Sequence, residues 1–400
     1  MEIDIRALET YNELARDGAE SAAEALSALT GIETRVEVTD VSLRMGSDLR
    51  AAFADREFAG VSVALGDPLS GEMVLSFDER GREAITNSLV PADDPERAES
   101  AIVEVGNIMA NGFVSGWADH LDAKVELTPP TYVEGTGAGA LPETAPGDDG
   151  YVFVFRSRVE AFTEDVDFEL LLVPAVESLE RLLERRTDGG VSLEKLAVFN
   201  EMTERGATRA AENIATMTGL EAGVEVNRLT FTSITDIPVH VGDDQRVGAV
   251  VQFSGTPSGY LAVLFDPDSA RASVAPLLPD SSERGVDWSD TERGALEELC
   301  NVIVSGFVDG WANVLQTSIK HSPPSFVADM GSSIVSPIAA DVGREENYAF
   351  LLDSTIETAG ADTVGCQLFG LPRPAELETA LDELLVERAD ETRADPRDVF

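Results

Sequence analysis

The sequence predicts an α+β protein built from two tandem domains of one fold, and three internal repeats carry that reading. One helical stretch occurs twice, as SAIVEVGNIMANGFVSGWADH at 100–120 and GALEELCNVIVSGFVDGWANVL at 294–315. Shifted by 194 positions, Glu104 falls on Glu298, Asn107 on Asn301, Gly112 on Gly306, Phe113 on Phe307, Gly116 on Gly310 and Trp117 on Trp311. Past the helix, Pro129-Pro130 and Val133 meet Pro323-Pro324 and Val327. A second stretch, YNELARDGAESAAEALSALTG at 11–31, returns as FNEMTERGATRAAENIATMTG at 199–219. Ser70-Gly71, Phe77, Asp78 and Pro174 also recur, as Ser258-Gly259, Phe265, Asp266 and Pro372. The domains are expected at 1–188 and 189–388, parted at Gly189-Gly190, with an acidic, charged C-terminal tail at 389–400.

Each element follows from local chemistry. Residues 5–30 read as a helix whose apolar side includes Leu8, Leu14, Ala22, Ala25 and Leu29, capped by Gly31. Thr34–Val41 alternates as a half-buried strand should. Gly60–Leu65 and Glu72–Phe77 flank Gly66-Asp67-Pro68 and Ser70-Gly71, which is the signature of a hairpin. Asp78–Leu89 has the pattern of a short amphipathic helix. Asp94-Pro95 has the N-cap and first-turn proline chemistry that opens the long central helix. A strand follows Pro129-Pro130, then a Gly-, Ala- and Pro-rich loop over Glu134–Gly150. Tyr151–Ser157 and Phe168–Val173 form a further strand pair, and Ala175–Arg186 reads as a closing helix. Each half of the domain thus runs helix, strand, hairpin, helix, which suggests a duplication inside the domain as well. In the second copy, Ser289 and Glu292 have the spacing of a capping box.

Charge bounds the function. Acidic residues outnumber basic ones 74 to 29 in a chain of 400, a formal charge of −45. Nearly all the cations are Arg, with Lys only at 124, 195 and 320. An acid excess spread along the whole chain looks like adaptation to saturating cytoplasmic salt, where a Debye length of about 3 Å at molar ionic strength screens the self-repulsion. No basic stripe exists to bind nucleic acid. Cys300 and Cys366 stand far apart in sequence, so neither a disulfide framework nor a CxxC metal site is expected. His120, His240 and His321 are likewise isolated. With no signal peptide and no run of eighteen apolar residues, a cytoplasmic protein without a membrane anchor is expected.

The duplicated helix carries the candidate chemistry. At 3.6 residues per turn, Ser100, Glu104, Asn107, Asn111 and Ser115 share one stripe, while Ile102, Val105, Met109 and Phe113 point the other way. Gly106 and Gly116 leave room for close packing on that side. The second copy presents Glu298, Asn301, Ser305 and Asp309. A carboxylate and a carboxamide three residues apart are therefore surface neighbours on both helices.

These helices resemble the signature of the CheC/CheX/FliY family of chemotaxis phosphatases. Its motif is Asp or Ser, three residues, Glu, two residues, Asn, then twenty-two residues and Pro. Ser100, Glu104, Asn107 and Pro130 match every position; Glu298, Asn301 and Pro324 match all but the first, where Gly294 stands. The resemblance implies tandem CheC-like domains from a haloarchaeon, each a mixed sheet packed by two long pseudo-symmetric helices plus shorter ones. It also implies four candidate sites, of which the N-terminal pair is degenerate. Glu13 is followed by Arg16 where Asn is expected, and Glu201 by Glu204. The charged residues around Glu13 are better read as a solvated helix face with a Glu13–Arg16 pair.

By that resemblance, the protein hydrolyses the aspartyl phosphate of the response regulator CheY in chemotaxis and archaellum motility. Asn107 and Asn301 would orient the attacking water, and Glu104 and Glu298 would dock the receiver. No cofactor or metal of its own is implied, because the receiver supplies Mg²⁺. An alternative is an adaptor that binds CheD or CheY without turnover. A third reading is a structural part of the motor switch, as FliY and FliM relatives are.

Overall fold

The computed structural model describes residues 2–383 except 4, 54–56, 91–94, 122, 137–150, 162–166, 176–177, 179–190, 219–221, 279–286, 316, 345 and 359–364. The tail expected at 389–400, the Gly189-Gly190 break, Asp94, most of the expected loop and nearly all of the expected closing helix lie outside the described residues. The chain divides into two compact units, Met1–Gly190 and Val191–Phe400.

In the first unit the elements are β1 (Glu2–Ile3), α1 (Ile5–Thr30), β2 (Thr34–Met45), α2 (Gly46–Phe53), β3 (Glu57–Leu65), β4 (Gly71–Phe77), α3 (Glu79–Leu89), α4 (Pro95–Leu121), β5 (Thr131–Thr136), β6 (Tyr151–Ala161) and β7 (Asp167–Pro174). In the second they are β8 (Val191–Ser192), α5 (Leu193–Thr218), β9 (Ala222–Ser233), α6 (Ile237–Val241), β10 (Gln245–Ser254), β11 (Gly259–Phe265), α7 (Pro267–Val274), α8 (Asp290–Leu315), β12 (Lys320–His321), β13 (Ser325–Met330), α9 (Gly331–Val342), β14 (Tyr348–Thr358), β15 (Gly365–Pro372) and α10 (Pro374–Asp382).

The α+β class holds, and the strand order shows why each domain carries two long helices. The first unit orders its strands β2-β6-β7-β4-β3-β5, and the second β9-β14-β15-β11-β10-β13. Exchanging first-half for second-half strands (β2 with β5, β3 with β6, β4 with β7) reverses the first list onto itself. This is a two-fold relation through the central β4–β7 pair, where Phe77 faces Phe168 and Gly71 faces Pro174. It also corrects the expectation of a mixed sheet: among the described residues these strands pair antiparallel within each unit. Four of those pairings join strands consecutive in the chain, β3–β4, β6–β7, β10–β11 and β14–β15, and a two-fold through the centre makes the middle pair antiparallel as well.

Helices α1 and α4 pack against each other, as do α5 and α8 in the second unit. Leu8, Tyr11, Ala15, Ala19, Ala22 and Leu26 form the buried side of α1. Leu29, expected on that side, is 38% exposed in the last turn. Gly31 closes the helix with φ +76°, its amide donating to the Ser27 carbonyl at 2.9 Å. The helix pair touches at Gly18, where a Cβ would lie 2.7 Å from the Phe113 carbonyl oxygen. Gly106 faces Val61, and a Cβ there would meet a Val61 methyl at 2.2 Å. Behind α4 the repeated tryptophan fills the core: Trp117 stacks on Tyr11 with centroids 5.5 Å apart and meets Phe155 edge-on. Trp311 packs on Phe199 and Phe307, the repeat positions of Tyr11 and Phe113, and meets Phe253 of β10 edge-on. The other face of the second sheet is covered by α6 and α9, through Ile237, Val241, Ile334, Val335 and Ile338. The capping box forms as expected: Ser289 N donates to Glu292 Oε2 at 2.8 Å, and Glu292 N to Ser289 Oγ at 3.3 Å.

Candidate functional site on the duplicated helices

A helix held this way has one face committed and one face free. On α4, Ile102, Val105, Met109, Phe113 and Trp117 are buried. Ser100, Glu104, Asn111 and Ser115 are exposed, and Asn107 is half-buried beside them. On α8, Leu296, Leu299, Ile303, Phe307 and Trp311 are buried, Glu298 and Asp309 are exposed, and Asn301 and Ser305 are half-buried. The structure thus puts each Glu and Asn together on the solvent side of its helix, one turn apart.

The two copies support their Asn differently. Asn111 Nδ2 donates to the Asn107 carbonyl at 2.7 Å and approaches Asn107 Oδ1 at 3.3 Å, so a second carboxamide steadies the first. In α8 that place is taken by Ser305, which donates to the Asn301 carbonyl at 2.7 Å and lies 3.2 Å from His321 Nε2. Glu297 Oε1 accepts from Phe326 N at 3.1 Å and ties the helix to β13. Neither His321 nor Glu297 stood out in the sequence, because Leu127 and Val103 occupy their places in the first copy. The only clue was the position of His321 beside Pro323-Pro324, which the repeat had already marked.

The degenerate helices are built as charged faces. Glu13 is exposed, and Arg16 is half-buried. The ion pair of Arg16 runs to Glu20, 3.5 Å away and one turn on, where Glu13 had been expected as partner. Residues three and four apart are both neighbours on a helix, and the guanidinium turns to the one four residues on. Glu201 accepts from Arg205 Nη2 at 2.8 Å, and Glu204 is exposed. Arg16 cannot accept a hydrogen bond, and Glu204 brings a negative charge, so neither reproduces a carboxamide.

The thiol next to Asn301 points inward. Cys300 and Cys366 are free and fully buried. Burial pushes both thiols up, Cys366 to about 12, which leaves them without nucleophilic character at neutral pH. Among the described residues no group of three or more His, Cys, Asp or Glu is placed to hold a metal ion, and no helix is long and apolar enough to cross a membrane. A cleft of about 350 Å³ between α3 and α4, lined by Arg82, Ala98, Ile102, Tyr132 and Glu134 among others, opens on a different flank of α4. Glu104, Asn107, Glu298 and Asn301 do not line that cleft.

The CheC-like family model matches residues 98–134, and the model for the chemotaxis phosphatase CheX matches residues 247–344. A protein of Halobacterium salinarum, named "Putative CheY-P phosphatase CheC1", is 32% identical over 182 residues, covering 46% of this chain and 92% of that protein. Among solved structures, FliY of Thermotoga maritima is similar at 18% identity and a TM-score of 0.37, over 45% of this chain and 94% of that one. CheX of Vibrio vulnificus is similar at 16% identity and a TM-score of 0.30, over 40% and 98%. The identity to the Halobacterium protein over nearly its whole length, with the matches to both family models, places this chain in the CheC/CheX/FliY family of chemotaxis proteins.

Proposed function

We propose that the protein is a phosphatase of phosphorylated CheY, with working sites on α4 and α8. The observation that carries the reading is the pair of outward Glu–Asn couples, Glu104–Asn107 and Glu298–Asn301, each raised on a helix whose other side is anchored in the core. Hydrolysis of an aspartyl phosphate breaks the P–O bond to the carboxylate and adds water at phosphorus. This transfer is governed by orientation and charge stabilisation. A carboxamide can accept from the attacking water through Oδ1 and donate to a phosphoryl oxygen through Nδ2. In this reading Asn107 and Asn301 align the water, and Glu104 and Glu298 pair with a cationic group of the receiver and set the depth of insertion. The receiver contributes its own Mg²⁺, so the chain needs no nucleophile and no metal ligand on this face.

A second reading, an adaptor that binds CheY or CheD without turnover, is favoured by one observation. Two of the four helix positions have lost the Asn, and Glu201 at one of them is engaged by Arg205. The acid excess fits a cell interior of molar salt, and assays belong at that ionic strength. The test is the decay of phosphorylated CheY with and without the protein in molar KCl. Faster release of inorganic phosphate supports the enzyme; binding that leaves the decay rate at its spontaneous value supports the adaptor and removes the first reading.

A further inference from the structure

The carboxamide of Asn107 can face outward in two ways related by a half-turn of the amide, which exchange its oxygen and its nitrogen. Asn111, one turn on in the same exposed stripe, selects one of them. Asn111 Nδ2 lies 2.7 Å from the Asn107 backbone carbonyl, which can only accept, so the atom placed there is the nitrogen of the Asn111 amide. The same nitrogen lies 3.3 Å from Asn107 Oδ1 and has a second hydrogen to give. With the Asn107 amide turned over, two donor NH2 groups would face each other with no acceptor between them. The contact therefore holds the oxygen end of Asn107 on the Asn111 side. Among the described residues, Asn107 Nδ2 donates to no protein group and stays open. An amide oxygen has two lone pairs, so Oδ1 accepts from Asn111 and keeps one for a further donor.

We propose that Asn111 is a positioning residue of the first site, which orients the Asn107 carboxamide before the receiver arrives. The inference rests on the phosphatase reading. In that reaction Oδ1 must accept from the attacking water while Nδ2 donates to a phosphoryl oxygen, so an amide turned over offers each partner the wrong group. A side chain free to flip spends part of its time in that state, and fixing it beforehand removes the loss. Asn111 needs no contact with the receiver to do this, because it acts through Asn107. The corresponding residue of α8, Ser305, donates to the Asn301 carbonyl at 2.7 Å and has no amide to offer the Asn301 side chain. The device therefore belongs to α4.

The test uses the full chain and phosphorylated CheY, with spontaneous decay subtracted. In the Asn301→Ala background, where the first site works alone, Asn111→Ala should lower kcat severalfold and leave KM in place. Asn111→Leu, of similar size but without a donor, should do the same. In the Asn107→Ala background, where the second site works alone, neither substitution should change kcat or KM, since the group that Asn111 orients is already gone. An unchanged kcat in the first background overturns the proposal. So does a rise in KM alone, which marks a docking contact, or an equal fall in both backgrounds, which marks damage to the fold. If no form of the protein speeds decay, the phosphatase reading has failed, and the orientation of the amide is tested by itself. Nitrogen-15 relaxation of the Asn107 side-chain amide should then show it ordered in the parent and loosened in Asn111→Ala. An Asn107 amide equally mobile in both overturns the proposal there too.

Discussion

Replacing Asn107 and Asn301 by alanine is the sharpest probe of the proposed chemistry, because the structure separates its effect on rate from its effect on folding. Asn107 and Asn301 are half-buried on the outer side of their helices, with the core contacts made by their neighbours. The Asn107 side chain meets Asn111 Nδ2 at 3.3 Å on the same exposed stripe. Truncation opens no core cavity, and alanine is the better helix former, so stability should change by less than about 0.5 kcal/mol. The loss of a group that aligns water should raise the barrier by about 2–3 kcal/mol, roughly a hundredfold in rate at that site. Two equal sites working in parallel leave about half the turnover in either single variant and about one hundredth in the double. The assay is phosphate release from phosphorylated CheY in molar KCl, with circular dichroism melts of all four proteins alongside. A double variant that turns over like the parent, with an unchanged melt, refutes the assignment of the Asn pair. A single variant already at the spontaneous rate refutes two independent sites.

Further predictions concern the scaffold. Gly18→Ala puts a Cβ 2.7 Å from the Phe113 carbonyl oxygen and 2.9 Å from its ring, so α1 must move off α4; a loss of about 1–3 kcal/mol is expected in denaturant unfolding. Gly206→Ala, 3.0 Å from the Phe307 carbonyl oxygen, should cost less, and the reverse order would contradict the packing described. Asp266 caps α7; burial opposes its charge, but bonds from the Ser269 hydroxyl and the Ser269 and Asp268 amides hold its carboxyl below the usual range. A carboxyl depressed on folding stabilises above the unfolded value of about 3.9 and loses that contribution as pH falls through the folded value. Acid titration of Asp266→Asn should therefore show a shallower loss of stability below about pH 4 than the parent. A chain with a formal charge of −45 should melt at a higher temperature in molar KCl than in dilute buffer, and an unchanged melt would remove the self-repulsion argument.

Much of the scaffold was legible because the chain states it more than once. The capping box at Ser289 and Glu292, the Gly31 cap and the antiparallel hairpin of β3 and β4 are local chemistry, and they form as the residues dictate. Short segments with weak periodicity were not legible. The helix α2 was missed between two strands, and so was α9, although it is 12 residues long and carries Pro337. Leu29 misled because a helix's last turn can leave an apolar residue with nothing to pack against. Arg16 misled because sequence spacing permits two partners and only the fold selects Glu20.

The sequence by itself determined the tandem repeat, the α+β class and which face of each long helix turns outward, since periodicity and internal repetition are properties of one strand of text. Tertiary structure decided the rest. It closed each sheet antiparallel about its central strand pair. It also brought His321, sixteen residues beyond Ser305, back against the helix that carries Asn301. Contacts between distant residues depend on where the backbone folds back on itself, and no local pattern encodes that return.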